Sequence, residues 1–157
     1  MTTLMAVVSV SSLSALLAPR VAHAPRVFAA MSAAEGGASP LPKVGVLAVQ
    51  GGFAAHLQAL KRQGSVEGVE VRSAEDLDGL DALILPGGES TAIGHGLANA
   101  DMLGPIRDFA STNPVWGVCA GMILLADELV GSASQPLVGG LKVTVERNAF
   151  GRQVPRG

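Results

Sequence analysis

Residues 115–125 read VWGVCAGMILL, and this stretch decides the fold. Residues 115–118 are a short run of the kind that a buried parallel strand uses, and residues 122–125 are uniformly apolar. Between them, the segment 117–121 has the G-x-nucleophile-x-G pattern of a nucleophile elbow, with Cys119 in the nucleophile position. The succession of strand, sharp turn and helix predicts an α/β domain that presents Cys119 at the edge of its sheet.

Two interpretations of Cys119 are open at this point. Small residues on both sides allow a sharp backbone turn, and the N–H of Ala120 can then point at a developing oxyanion. The alternative is a buried structural cysteine, which is the common environment of a single cysteine. Gly117 and Gly121, in a strand–turn–helix context, favour the nucleophile.

A second candidate segment, residues 85–91, reads LPGGEST and follows another apolar run. A Gly-Gly pair at the exit of a strand lets backbone N–H groups approach a ligand closely, so this loop could supply a second oxyanion donor. Ser90 or Thr91 could cap the helix that follows. By itself the segment could equally be an ordinary turn with an N-cap, and it lacks the lysine and the spacing of a P-loop.

The remaining pattern alternates strands with helices. Short apolar or alternating runs predict strands at 44–49, 69–71, 82–85, 115–118 and 142–146. Helical spacing predicts a helix from Phe53 that ends at Gly64, a second along residues 103–109, and a single buried helix over residues 122–130. This order predicts a three-layer α/β fold with a mostly parallel sheet, in which ligands sit beyond the carboxyl ends of the strands.

The composition excludes several classes of protein. The chain has 157 residues and a net charge of −2, so it lacks the basic excess of a nucleic-acid-binding protein. A single cysteine excludes a disulfide scaffold and a multi-cysteine zinc site. The apolar run over residues 4–18 is shorter than the roughly 20 residues that span a bilayer, so we expect no membrane anchor.

The first 34 residues have the composition of a targeting leader. They contain no Asp or Glu and are rich in Ser, with Arg20 and Arg26, which is typical of an organelle transit peptide. Residues 22–24 also resemble a secretory cleavage site, so a bipartite leader and a natural N-terminus without an address are both open. We therefore predict a leader at 1–34, a linker at 35–42, a domain at 43–157, and a plastid or mitochondrial location, with the cytosol as the alternative.

Four motifs in order resemble one family. They are Gln50-Gly51 after the first strand, residues 85–91, residues 117–126 (GVCAGMILLA) and residues 145–153 (VERNAFGRQ). Together they are similar to the class I glutamine amidotransferases, with their flavodoxin-like fold, and most of all to the glutaminase subunits of pyridoxal 5′-phosphate synthase. General amidotransferases share the cysteine elbow but not the last segment, so the subfamily is specific.

The resemblance implies an activity, a partner and a set of site residues. It implies hydrolysis of L-glutamine to glutamate and ammonia, without a cofactor or a metal, and delivery of the ammonia to a separate synthase subunit in a hetero-oligomeric complex that makes vitamin B6. By position, Cys119 is the nucleophile, Gly88 and Ala120 supply oxyanion N–H groups, and Gly88, Glu89, Ser90 and Arg147 bind the substrate. Arg147 would hold the α-carboxylate, although from the residues alone it could be a solvated charge on an edge strand. Gln50 is implied to lie at the subunit-facing edge and to help order the oxyanion site.

The sequence departs from the family pattern in two places. Ala55 stands before His56 where the family often has Glu. More important, the pattern ends at residues 155–157, whereas the family continues to an H-P-E segment that holds the catalytic base and its orienting carboxylate. We therefore expect a fold that is incomplete at its C-terminus and very low glutamine turnover, because loss of a general acid–base costs about 10²–10⁴-fold.

None of the three histidines is expected to replace that base. His23 lies in the predicted leader, His56 is expected to be a packed or capping residue of the first helix, and His95 follows the Gly-Gly loop without matching a family position. Two other functions stay open: a catalytically inactive partner that docks on the synthase subunit, and another cysteine-elbow hydrolase-like protein.

Overall fold

A computed structural model describes residues 40–130 and 134–147. Four parallel strands form the main sheet in the order β2-β1-β3-β4. They are β1 Lys43–Leu47, β2 Glu67–Val71, β3 Ala82–Leu85 and β4 Val115–Gly117. Because all four strands run the same way, their carboxyl ends meet at one edge of the sheet, and the expected mostly parallel α/β fold is confirmed.

Helices cover both faces of this sheet. They are α1 Phe53–Gln63, α2 Ser90–Asn99, α3 Leu103–Thr112 and α4 Ala120–Leu125, with a 3₁₀ turn at Glu75–Leu77. On one face, α1 packs on a small cluster of Val44, Val46 and Ile84. On the other face a larger cluster joins alternate strand residues to the remaining helices, through Leu47, Leu83, Leu85, Ile93, Leu97, Ile106 and Leu124. The side-chain period of two along each strand thus produces the three layers.

Helix α1 ends at the glycine where the sequence predicts its end. Gly64 follows α1 in the left-handed conformation, with φ of 71°, and its N–H donates to the carbonyl of Leu60 at 3.2 Å. Glycine adopts this conformation without the steric penalty that a β-carbon carries.

The predicted single helix over residues 122–130 is wrong. Helix α4 ends at Leu125, and strand β5 Ala126–Val130 pairs in parallel with β6 Leu141–Glu146 in a separate two-stranded sheet. The carbonyl of Leu124 accepts the N–H groups of Val138 and Gly139, at 2.8 and 3.1 Å, in place of continuing the helix. A short apolar run does not distinguish a helix from a strand. Here the two long-range hydrogen bonds to the carbonyl of Leu124 determine where the helix ends.

The predicted strand at 142–146 is confirmed, with one more residue at its start. Its alternation is weaker than expected, since Val143 is 42% exposed in the part of the chain that the structure describes. The predictions for residues 1–39 and 148–157, which include the leader, most of the linker and the end of the last motif, lie outside the described residues.

Candidate active site

Three loops at the carboxyl edge of the sheet converge. The N–H of Gly52, after β1, donates to the carbonyl of Gly87, after β3, at 2.9 Å. A β-carbon at Gly51, whose φ is 97°, would collide with that same carbonyl oxygen, so the close approach requires glycine. The loop after β4 completes the edge, because a β-carbon at Gly87 would lie 3.5 Å from the Cβ of Cys119. The segments singled out in the sequence therefore meet.

Cys119 stands in a strained turn and is exposed. Its φ is 51° and its ψ is −104°, a region that residues with a β-carbon rarely adopt. Backbone hydrogen bonds hold the turn: the N–H of Val118 donates to Leu85 at 3.0 Å, and the N–H of Gly121 donates to Val118 at 2.9 Å. The thiol is free and exposed, so the interpretation as a buried structural cysteine does not fit the structure.

The glycines that flank the turn are required by packing. A β-carbon at Gly117 would lie 2.6 Å from the carbonyl carbon and oxygen of Gly121. A β-carbon at Gly121 would lie 2.7 Å from the carbonyl carbon of Leu85 and closer still to its oxygen. Helix α4 can therefore start directly against β3 and β4 only because both positions lack a side chain.

The two candidate oxyanion donors belong to the two loops that meet at Cys119. Ala120 is the first residue of α4, where a backbone N–H has no acceptor within the helix. Gly88 follows the carbonyl that Gly52 holds, and in a trans peptide its N–H points to the opposite side from that carbonyl. The side chain of Gln50 lies beside Gly88, because a β-carbon there would be 3.6 Å from Gln50 Oε1. Their role as oxyanion donors stays a prediction.

Glu89, and neither Ser90 nor Thr91, caps α2. Its carboxylate accepts the N–H groups of Thr91 and Ala92, at 3.2 and 2.8 Å. These two hydrogen bonds, of which the one from Ala92 has the larger effect, hold the pKa of the Glu89 carboxyl below its ordinary value. The positive charge of Arg147 lowers this pKa as well. A carboxylate at this position also suits the positive end of the helix dipole.

Arg147 reaches the same helix terminus from the end of β6. Its Nη2 is 3.0 Å from Glu89 Oε1, and its Nη1 donates to Thr91 Oγ1 and to Gln135 Oε1, both at 2.9 Å. The side chain is 24% exposed, so it is not the solvated edge charge that the sequence also allowed. The structure thus joins Glu89 to Arg147, 58 residues apart in the chain.

Two further residues complete this cluster: Ser90, which the sequence predicted as a site residue, and Gln135, which it did not. Ser90 is 2% exposed, and its hydroxyl donates to Gln135 Oε1 at 3.0 Å, so that group points into the protein. Gln135 was missed by the sequence analysis, because it lies in an irregular segment with no periodicity or motif. The assignment of Gly88, Glu89, Ser90 and Arg147 to substrate binding stays a prediction.

The two described histidines make no hydrogen bond to the thiol. His56 packs edge-to-face on Trp116, with ring centroids 6.3 Å apart, as expected of a packed residue of α1. His95 is on the exposed side of α2. Within residues 40–130 and 134–147, neither donates to or accepts from Cys119, and His23 lies outside the described residues.

The described residues form neither a metal-binding cluster nor a membrane-spanning helix. No group of three His, Cys, Asp or Glu side chains there is arranged to hold a metal ion. None of the helices that the structure describes is both long enough and apolar enough to cross a membrane.

Fold and site together define a class: α/β proteins that present a cysteine at a strained strand–helix turn, beside a Gly-Gly loop at the carboxyl edge of a parallel sheet. Residues 46–156 match the model of the SNO glutamine amidotransferase family. The chain belongs to this family, which confirms the resemblance that its four motifs carry.

Relatives and a solved structure agree with this assignment. The chain is 50% identical over 113 residues to the pyridoxal 5′-phosphate synthase subunit PdxT of Moorella thermoacetica, covering 71% of this chain and 59% of the relative. It is 55% identical over 115 residues to that of a Parafrankia species, covering 72% and 56%. A crystal structure of a glutamine amidotransferase matches with a TM-score of 0.65 and 51% identity, over 71% of this chain and 59% of that one. The chain thus spans less than two thirds of the length of these relatives.

Proposed function

We propose that the protein is a glutaminase that hydrolyses L-glutamine to glutamate and ammonia and supplies the ammonia to a pyridoxal 5′-phosphate synthase subunit. One observation carries the proposal: the exposed Cys119 stands in a strained turn beside the Gly87-Gly88 loop. The names of the relatives that are about half identical support the pathway, and no cofactor is needed for the reaction.

The chemistry proceeds through a thioester. A base takes the proton of Cys119, and the sulfur attacks the carboxamide carbon of glutamine. The negative charge that develops on the carbonyl oxygen is stabilised by the N–H groups of Gly88 and Ala120. The carbon–nitrogen bond breaks as the nitrogen takes a proton and leaves as ammonia. Water then hydrolyses the thioester, which releases glutamate and restores the thiol.

The charges at the start of α2 suit the other end of the substrate. L-Glutamine carries an α-carboxylate and an α-ammonium group, and the 3.0 Å pair of Arg147 and Glu89 presents one charge for each. A guanidinium binds a carboxylate through two parallel hydrogen bonds. Gly88 and the backbone of Ser90 belong to the same loop and face the substrate. Gln50 helps to order the oxyanion site when the synthase subunit docks.

The base is proposed to come from outside the described histidines. Since His56 packs on Trp116 and His95 is on the exposed side of α2, neither histidine of the described part of the chain is placed to act as the base for the thiol. We therefore expect these 157 residues alone to turn over glutamine about 10²–10⁴-fold more slowly than a glutaminase with its base in place. The same observation favours a second candidate, a partner that docks on the synthase subunit without turnover.

The deciding experiment measures ammonia from L-glutamine for the intact chain, alone and mixed with a synthase subunit. Glutaminase function predicts slow release that rises on mixing and disappears in Cys119→Ala, while co-elution with the synthase subunit persists in the variant. Release that survives Cys119→Ala would show that the nucleophile is wrong. Co-elution without any ammonia would favour the inactive partner, and turnover at an ordinary enzymatic rate would contradict the expected slow turnover.

We also propose that residues 1–34 direct the protein to a plastid or mitochondrion. The support is their lack of acidic residues and their Ser and Arg content. Residues 1–42 fused to a fluorescent protein should label one of these organelles, and a diffuse cytosolic signal would contradict the proposal.

A further inference from the structure

The buried amide of Gln135 is the centre of a small hydrogen-bonded cluster. Gln135 is 8% exposed. Its Oε1 accepts from Ser90 Oγ at 3.0 Å, Thr91 Oγ1 at 3.2 Å and Arg147 Nη1 at 2.9 Å. Arg147 Nη1 also donates to Thr91 Oγ1 at 2.9 Å. One oxygen atom therefore ties the first two residues of α2 to the guanidinium beyond β6.

The orientation of this amide follows from its partners. A guanidinium only donates, so the atom of Gln135 that faces Arg147 has to be the oxygen. The nitrogen Nε2 then points the other way, where it is buried and has no partner among the residues that the structure describes. A buried amide donor without an acceptor is destabilising, so an apolar side chain would suit this position better if stability alone mattered.

The segment that carries Gln135 is held by three helices. A β-carbon at Gly94 of α2 would lie 2.6 Å from the carbonyl oxygen of Pro136, so the two backbones are in close contact. Arg107 of α3 donates through Nε to the carbonyl of Val138 at 2.7 Å, and Leu124 of α4 accepts the N–H of Val138 at 2.8 Å. The acceptor oxygen is thus held by the core of the domain.

We infer that Gln135 is a positioning residue, which holds Arg147 in the orientation that binds the α-carboxylate of glutamine. The inference rests on the proposed function and adds a residue to it. A neutral acceptor orients the guanidinium and leaves its charge available to the substrate. Glu89 already takes one edge of Arg147, and a second carboxylate at position 135 would compete with the substrate for the same cation.

The first test uses the single cysteine of the chain. Iodoacetamide alkylates Cys119 of the intact chain, and a bound ligand slows the reaction. The concentration that halves the rate is measured for L-glutamine and for 4-aminobutanamide, which has the same amine and carboxamide but no carboxylate. In Gln135→Met the preference for L-glutamine should fall about tenfold, as expected from loss of about 1.4 kcal/mol of carboxylate binding. Gln58→Met, an exposed glutamine of α1, is the matched control and should keep the wild-type preference.

Equal weakening of both ligands by Gln135→Met, or no change in either, would overturn the inference, because a purely structural role does not discriminate between them. If wild-type Cys119 is not protected by L-glutamine at all, the proposed function fails at substrate binding. A second measurement, independent of substrate, then still decides the positioning.

That measurement is the nuclear magnetic resonance signal of the Arg147 side-chain Nε–H, assigned by its loss in Arg147→Lys. Gln135→Met should shift this signal towards those of solvated arginines, since only Glu89 and Thr91 then hold the guanidinium, whereas Gln135→Glu, which keeps an acceptor oxygen, should leave it near its wild-type position. Gln135→Glu should nevertheless lose the preference for L-glutamine by about tenfold, because it adds a competing charge. If circular dichroism shows that Gln135→Met is unfolded, the ligand preference of Gln135→Glu provides the test. An unshifted Arg147 signal in folded Gln135→Met, or an unchanged preference in Gln135→Glu, would contradict the inference.

Discussion

At the scale of single residues, the site depends on Cys119 and also on the lack of a β-carbon at the glycines on either side of it. Cys119 holds a backbone conformation that costs on the order of 1–3 kcal/mol, and the surrounding hydrogen bonds maintain it. Gly117 and Gly121 make that turn possible, because any β-carbon there would meet neighbouring backbone. Backbone atoms cannot move aside as a flexible side chain can, so these positions tolerate little change.

The first prediction tests this packing. Gly121→Ala should lower the free energy of unfolding by about 1–3 kcal/mol or more, since its β-carbon would overlap the carbonyl of Leu85. Gly104→Ala in α3 is the control, because a β-carbon there meets no atom within 4 Å. The control should be neutral or stabilise the helix by up to about 1 kcal/mol. Urea unfolding measures the free energy of unfolding of both variants. An unchanged free energy of unfolding in Gly121→Ala would show that α4 is not packed as described.

At the scale of elements, the start of α2 combines stability with substrate recognition. The Glu89 carboxylate satisfies two N–H groups that have no acceptor within the helix, and it also pairs with Arg147. A Ser or Thr is the usual expectation at a cap, and the sequence offered both immediately after Glu89. The structure places them one and two residues past the cap position, where their hydroxyls bind Gln135 instead.

The second prediction concerns pH. Glu89→Ala should lower the free energy of unfolding by about 1 kcal/mol at neutral pH, the usual cost of losing a cap. Because the folded-state pKa of Glu89 is lowered, this contribution is fully present above the ordinary glutamate pKa and is lost as the pH falls through the lowered value. Wild type and variant should therefore converge in acid when unfolding is followed by circular dichroism. A difference that stays constant into acid would contradict the assigned cause.

Elements with local signals could be predicted from the sequence, and those without could not. Helix α1 has a clear apolar stripe and a terminal glycine, and it ends at the predicted position. The boundary between α4 and β5 has no such signal, since residues 122–126 are continuously apolar. It is determined by the loop of Val138 and Gly139, which takes the carbonyl of Leu124.

At the scale of the whole molecule, one sheet separates two apolar layers. The layer below α2, α3 and α4 contains most of the fully buried side chains, and the layer below α1 is smaller. Leu124 belongs to the larger layer and is fully buried on α4, the helix that begins directly after Cys119. The same core therefore supports both the fold and the presentation of the thiol.

The third prediction tests that support. Leu124→Ala should lower the free energy of unfolding by about 2–5 kcal/mol, because it leaves a cavity in the larger layer. Leu41→Ala, half exposed ahead of β1, should cost less than about 1 kcal/mol. Thermal unfolding monitored by the fluorescence of Trp116 measures both. Similar losses for the two variants would show that the larger layer does not dominate stability.

The sequence by itself determined the class of fold, the order of the strands and helices up to the start of α4, and Cys119 and Gly88 as candidates, while the family resemblance added Glu89. The fold class, the order of elements and the first two candidates follow from local physics: side-chain periodicity, turn chemistry and the requirement for glycine at close approaches. Only the tertiary structure decided that Arg147 meets Glu89, that Ser90 faces inward, that α4 gives way to β5, and that Gln135 joins them. Each of these depends on hydrogen bonds between segments far apart in the chain, whose geometry exists only once the sheet and its layers have formed.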